Sequence, residues 1–373
     1  MVTDTICSPG LEGVVAGQTR VSCVDQGKLL YRGYPIQELA EKTTFEEVLH
    51  LMLYGELPGD DRLQYIMDRL DDFRALPEPV YHVLQHIPPH VPMMDVVRTM
   101  VSFAGHFDPI EARDDEATRQ RALWLTAQIP SLIAARHRLI NGEEPLKPRR
   151  GLSHAAQMLY LLFGEEPDDM AVDLLDLTLV LYAEHEFNAS TFTCRVICST
   201  ESDLISAVAG AIGALKGPLH GGANEAAMRM LMRFETPEDA DNWVREALDR
   251  KEKIMGFGHR VYRHGDHRAE ILEHKMRKLA HKKGQDRWLK IYDAIKDPVR
   301  RLKNIYPNVD YPCGLTYHLM GLPIDLFTPI FVSARVSGWS AHYLEQSRGN
   351  RLYRPLSEYV GQAQRAVPPL DER

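Results

Sequence analysis

Two histidines stand in glycine-framed turns, His220 in Lys-Gly-Pro-Leu-His-Gly-Gly-Ala-Asn-Glu and His259 in Met-Gly-Phe-Gly-His-Arg-Val-Tyr-Arg, and a carboxylate, Asp310, follows in Tyr-Pro-Asn-Val-Asp. Glycine and proline confine the backbone to a fixed turn and let a ligand approach closely, so side chains emerging there are often held for chemistry. Two imidazoles and a carboxylate suffice for acid/base catalysis without a metal. Each residue also has a plainer reading. A turn histidine can be a hydrogen-bonded structural residue, and Asp310, between Pro307-Asn308-Val309 and Pro312, reads as a loop residue off any helix face.

His259 opens a basic stretch, Arg260, Arg263, His264, His267 and Arg268. Such a run is commonly a solvated face, but Gly256 and Gly258 place backbone N–H groups beside it, as an anion or nucleotide site would. His259, His264 and His267 could also be metal ligands, although the flanking arginines would repel a cation. Lys216 to Glu225 is glycine-rich yet lacks the Gly-Lys-Ser/Thr ending of a phosphate loop. Arg335 sits in the apolar run Pro-Ile-Phe-Val-Ser-Ala-Arg-Val-Ser-Gly-Trp, with no carboxylate within a helical turn. A buried guanidinium needs an anionic partner, and a substrate carboxylate bound in a bidentate fork would supply it.

Helices must position these groups, because the fold class read from the pattern is all-α with a small N-terminal β-hairpin, its strands broken at Gln26-Gly27. Thr43 or Thr44 can cap a helix carrying Phe45, Val48, Leu49, Leu51 and Met52, which Gly55 and Pro58 stop. From Asp168 and Asp169 a helix begins that is apolar nearly all round, so it should be central, delivering His185 and Glu186 at or near its C-terminal end. Asp203 to Leu215 is rich in Ala and Gly and predicts a tight helix pair. The segment 221–320 differs, with amphipathic helices and many Lys, Arg and His, and reads as a smaller mobile domain. Residues 1–220 and 321–373 make the large one.

At 373 residues and 44% hydrophobic composition the chain can bury a large core. A net charge of −8 argues against nucleic acid as a partner. Five irregularly spaced cysteines suit reduced thiols better than a disulfide framework; Cys194 and Cys198, four apart, have no second close pair to complete a metal site. No run of about 18 apolar residues occurs, and the first residues lack the pattern of a secretory leader. The expectation is a cytoplasmic protein that binds neither membrane nor nucleic acid.

Six motifs in order, from Gly-Leu-Glu-Gly-Val-Val-Ala-Gly with Tyr-Arg-Gly-Tyr-Pro-Ile through Ala-Glu-His-Glu-Phe-Asn-Ala-Ser-Thr-Phe, Gly-Pro-Leu-His-Gly-Gly-Ala-Asn-Glu, Gly-Phe-Gly-His-Arg-Val-Tyr and Pro-Asn-Val-Asp to Tyr-Arg-Pro, resemble the citrate synthase family over nearly the whole chain. The resemblance is to the short, dimeric bacterial and archaeal form. It implies a two-domain helical homodimer whose active site is shared between subunits and whose small domain closes over oxaloacetate before acetyl-CoA binds. By position, Asp310 would remove a methyl proton from acetyl-CoA and His220 would hydrogen-bond the enol oxygen. His259 would polarise the ketone of oxaloacetate. His185, Arg268, Arg335 and the partner's Arg354 would hold oxaloacetate.

Lys253, Ile254, Met255, Gly256 and Phe257 resemble the CoA-binding stretch, with Arg263 and Lys303 as candidates for its phosphates. CoA would be a cosubstrate, with no permanently bound cofactor and no metal. The chain departs from the family pattern at His267, where many members have proline, and at Pro312-Cys313. Leu181 to Phe187 resembles 2-methylcitrate synthases, which accept propionyl-CoA, whereas Gly-His-Arg-Val-Tyr-Arg is closer to citrate synthases. Acetyl-CoA is the first expectation and propionyl-CoA the alternative. A metal-dependent hydrolase built on the histidines near 259, or a helical scaffold without catalysis, is the more distant reading.

Overall fold

The computed structural model describes residues 8–25, 27–259, 261–262 and 265–373. Met1 to Cys7, Gln26, Arg260, Arg263 and His264 lie outside the described residues, and with them the sequence readings that fall there.

The hairpin expected near the start is present: β1 (Ser22–Asp25) pairs antiparallel with β2 (Lys28–Tyr31), and a two-residue β3 (Tyr34–Pro35) adds to its edge. Helices then follow: α1 (Ile36–Lys42), α2 (Phe45–Tyr54), α3 (Asp60–Phe73), α4 (Glu78–His86), α5 (Met93–Ala104), α6 (Asp115–Ile140), α7 (His154–Phe163), α8 (Asp169–Tyr182), α9 (Ala189–Ser199) and α10 (Leu204–Leu215). The chain continues through α11 (Ala223–Leu231), α12 (Pro237–Asp249), α13 (His267–Lys282), α14 (Asp286–Lys303), α15 (Asp310–Leu319) and α16 (Phe327–Arg348). The all-α reading is correct.

Local chemistry sets the ends. Thr44 caps α2 in a reciprocal box with Glu47, and Gly55 closes the helix at φ 93°. Asp203 caps α10 by accepting from Ser206 N–H. The first turn of α8 is half exposed; from Leu174 onward the helix is buried, as an apolar circumference requires. α16 is buried almost throughout and packs on α2, α6, α8, α9 and α10, which makes it the axis of the core.

Gly210 of α10 lies against α9, where a Cβ would meet the end of the Ile197 side chain, so glycine lets the two helices pack closely. α11 to α15 pack largely on one another, through α11–α15, α12–α14, α13–α14 and α13–α15, with α13 also touching α1 and α8. No helix among the described residues is long and apolar enough to cross a membrane.

Candidate active site

Two loops bring His259 and Asp310 together. Gly258 N–H donates to Tyr306 C=O at 2.9 Å, Asn308 N–H donates to Gly256 C=O at 2.9 Å, and the Asn308 amide donates to Gly258 C=O at 3.0 Å. These bonds zip residues 256–258 to 306–308. The close approach explains Gly256, whose φ is 82° and where a Cβ would lie 2.8 Å from Tyr311.

The same zipper corrects the loop reading of Asp310. It is the first residue of α15, its N–H held by the Asn308 side chain at 3.1 Å. Pro312 misled: in the first turn of a helix a proline loses no hydrogen bond, since that N–H has no intrahelical partner.

The protonation of each imidazole follows from its donors. His259 Nδ1 accepts from the N–H of Val261 at 3.1 Å and of Tyr262 at 3.4 Å. A backbone N–H only donates, so the ring proton is assigned to Nε2. At His220 the arrangement is reversed: Nε2 accepts from Ser190 N–H at 3.3 Å and lies 2.8 Å from Ser190 Oγ, which assigns the proton to Nδ1. Burial, reinforced by Arg335 at His220 and Arg268 at His259, lowers both rings to about 4. At neutral pH both are uncharged donors.

Asp310 is pushed up to about 6 by burial, against the pull of a hydrogen bond from Tyr182 Oη at 2.6 Å and of Arg268. Its carboxylate form is therefore a base poised close to working pH. Tyr182 is itself locked against Phe331, ring centroids 4.2 Å apart.

His185 lies three residues past α8, in the turn before α9, with its ring 4.9 Å from that of His259 and Nε2 3.0 Å from Tyr262 Oη. Burial, then Arg268, holds it well below the usual imidazole range. Arg268 is buried and forks onto Asp266 at 3.0 and 2.8 Å, while Asp266 also accepts Val309 N–H at 3.2 Å. One carboxylate therefore fixes both an arginine and the turn before Asp310. Arg335, only 2% exposed, donates from Nε to Tyr182 C=O at 2.7 Å, and among the described residues no carboxylate lies within ion-pair distance. A half-open pocket of about 230 Å³, lined by Gly258, His259, Tyr262, Asp266 and Tyr306 among others, adjoins this cluster.

The family described as "Citrate synthase, C-terminal domain" matches residues 10–356. The chain belongs to the citrate synthase family. It is accordingly an acyltransferase. It is 45% identical over 361 residues to the 2-methylcitrate synthase of Mycobacterium tuberculosis, covering 96% of this chain and 92% of that protein. It is 42% identical over 366 residues to citrate synthase 2 of Bacillus subtilis, covering 98% of each. The citrate synthase of Thermoplasma acidophilum, solved as a ternary complex with carboxymethyl coenzyme A and oxaloacetate, superposes with a TM-score of 0.93 at 31% identity over 99% of this chain and all of that one.

Within this citrate synthase family member, His185, His259, Arg268, Asp310 and Arg335 converge, and His220 lies within the field of Arg335. Arg354 does not join them. It is exposed on the extended segment after α16, donating to its own neighbour Pro355 C=O. In the expected CoA loop, Ile254 and Phe257 point into the core, Phe257 against Tyr311 at 4.5 Å, so any contribution they make to a ligand is through the backbone. Met255 is half-buried, Lys253 is exposed, and Lys303 is exposed at the end of α14, next to the pocket-lining Asn304. Arg263 is among the residues outside the description.

His267 pairs with Glu270 on the surface at 3.3 Å, and among the described residues no group of three His, Cys, Asp or Glu could hold a metal ion. Residue-level reasoning missed Tyr182, Ser190, Tyr262 and Asp266. Tyr182, Ser190 and Tyr262 stand inside stretches already noted and Asp266 beside Arg268, but the bonds that give them their roles link separate segments.

Proposed function

We propose that the chain condenses oxaloacetate with a short acyl-CoA, acetyl-CoA first, giving citrate and CoA. The observation that carries this is the pair of neutral histidines with opposite free N–H groups beside one ionised carboxylate. Asp310 takes a proton from the thioester methyl group, and Nδ1–H of His220 stabilises the oxygen on which the enol charge develops. Without such a donor a carboxylate is far too weak a base for this carbon acid. The enol carbon attacks the oxaloacetate ketone, whose oxygen Nε2–H of His259 polarises and then protonates. Water cleaves the resulting thioester and CoA leaves.

Oxaloacetate is a dianion, and Arg268, Arg335 and the partner's Arg354 supply its counter-charges, with His185 as a further donor. The exposed position of Arg354 suits a residue completed by a second subunit. Because His259, Arg268 and Asp310 come from residues 221–320 and His185 and Arg335 from the remainder, closure of that smaller domain over the substrate assembles the site and excludes water. CoA lies along the 253–257 loop, with Lys253, Arg263 and Lys303 near its phosphates.

Propionyl-CoA is the second reading. The turn Leu181 to Phe187 favours it, and the relative named 2-methylcitrate synthase is 45% identical to this chain against 42% for the one named citrate synthase 2. One methylene is worth about 1–3 kcal/mol in an apolar pocket, so one site can turn over both thioesters. Release of CoA from each thioester with oxaloacetate decides. The higher kcat/KM is expected for acetyl-CoA; a higher value for propionyl-CoA exchanges the two readings, and no turnover with either overturns both. A chelator should leave turnover unchanged, whereas a metal-dependent hydrolase would lose it.

A further inference from the structure

The turn that carries His185 is keyed into α16 by the residue before it. Glu184 is fully buried. Its Oε1 accepts from Ser22 Oγ at 3.0 Å and from His342 Nε2 at 2.9 Å, while Oε2 is buried with no hydrogen-bond partner. Arg195 Nη1, which can only donate, lies 3.0 Å from His342 Nδ1, so His342 gives its Nε2 proton to Glu184. Around it, Tyr31 Oη bonds both N–H and C=O of Glu184, and Glu186, at φ 49°, hangs its N–H on Ser22 Oγ.

The unpartnered oxygen sits over α16. A Cβ on Gly338 would clash with Glu184 Oε2 and with the backbone C=O of Ala183, so glycine is required there. Arg335, Gly338 and His342 are spaced i, i+3 and i+7, one stripe of a helix. Glu184 is seated on that stripe at Gly338 and bonded to His342 one turn on, with Arg335 one turn back along the helix. Burial alone would raise its carboxyl, yet His342 and then Arg335 hold it below the ordinary carboxylate range. Reciprocally, burial depresses the Arg335 guanidinium and Glu184 is the first charge opposing that.

We infer that Glu184 is the internal counter-charge that offsets the burial of the Arg335 guanidinium until a substrate carboxylate pairs with it. This rests on the reading of Arg335 as a carboxylate receptor, and it resolves a difficulty in that reading: an unpaired buried guanidinium would destabilise the unliganded protein. It also sets a cost, since Glu184 repels the incoming dianion.

Glu184→Gln preserves shape and the bonds from Ser22 and His342 while removing the charge. Without substrate, this variant should melt about 3–5 °C below the parent, and the loss should vanish when Arg335→Met is added. An equal loss with Arg335 present or replaced would show that Glu184 acts only in packing and would overturn the proposal. If Glu184→Gln alone does not fold, the double variant with Arg335→Met should; its failure to fold overturns the proposal equally. With Arg335 in place, calorimetry should find oxaloacetate bound about threefold or more tightly by Glu184→Gln, with a larger ligand-induced rise in melting temperature. Unchanged or weaker binding contradicts the counter-charge. The substrate-free cycle reads the Glu184–Arg335 coupling even if oxaloacetate proves not to be the ligand.

Discussion

The turns that hold His220 and His259 look alike in sequence and do opposite things. Both are framed by glycine, both rings are lowered to about 4, and both are neutral donors. At His259 the backbone of the following residues occupies Nδ1 and leaves Nε2–H without a partner among the described residues. At His220 the start of α9, thirty residues upstream, occupies Nε2 and leaves Nδ1–H free. Their glycines differ too. Gly256 and Gly258 have φ of 82° and 77° and allow the loop zipper, whereas Gly221 is needed because a Cβ there would meet Leu215 C=O at 2.5 Å. Residue type makes a histidine available; the backbone N–H that reaches it decides which nitrogen works.

The largest effect should come from the group both histidines serve. Asp310→Asn still accepts from Tyr182 but cannot take a proton, so kcat should fall about 10³-fold while calorimetric oxaloacetate affinity stays near the parent's. Near-normal kcat with weakened binding would remove Asp310 from the role of base.

Crossed amide substitutions come next, because the Asn amide nitrogen overlies histidine Nδ1 and the Gln nitrogen overlies Nε2. His220→Gln should cost about 10²- to 10³-fold in kcat, and His220→Asn roughly tenfold less. At His259 the order should invert, Gln being the better replacement. The same order at both positions would break the comparison.

The smallest effect concerns pH. A carboxyl raised to about 6 is lost as base when pH falls through 6, not through 4, so kcat/KM should drop about tenfold per unit below that point. Neither histidine should add a limb between pH 5 and 8. Tyr182→Phe removes a hydrogen bond that favours the carboxylate, so the limb should move upward.

Much of this was legible beforehand. The hairpin, the Thr44 cap, the Gly55 stop, the buried α8 and the close-packed α10 follow from local propensity and periodicity, which are properties of a few adjacent residues. The residues of the site were legible through their motifs. Asp310 reads as a loop residue because Pro312 looks like a helix breaker unless the first turn is known to begin two residues earlier. The resemblance of 253–257 to a CoA-binding stretch does not show which side chains turn inward: Tyr311 claims Phe257 through a zipper that only the fold creates. Ser190 on His220, Tyr182 on Asp310 and Asp266 on Arg268 and Val309 belong to the same class. Each is a bond between motifs, and spacing within a motif carries no trace of it.

The most direct test of opposed histidine tautomers is ¹⁵N NMR of the ring nitrogens of His220 and His259 in the unliganded protein. The expected result is a proton on Nδ1 and a bare Nε2 at His220, the reverse at His259, and no second proton on either ring down to about pH 5. The same tautomer at both, or a doubly protonated ring at pH 7, would contradict it.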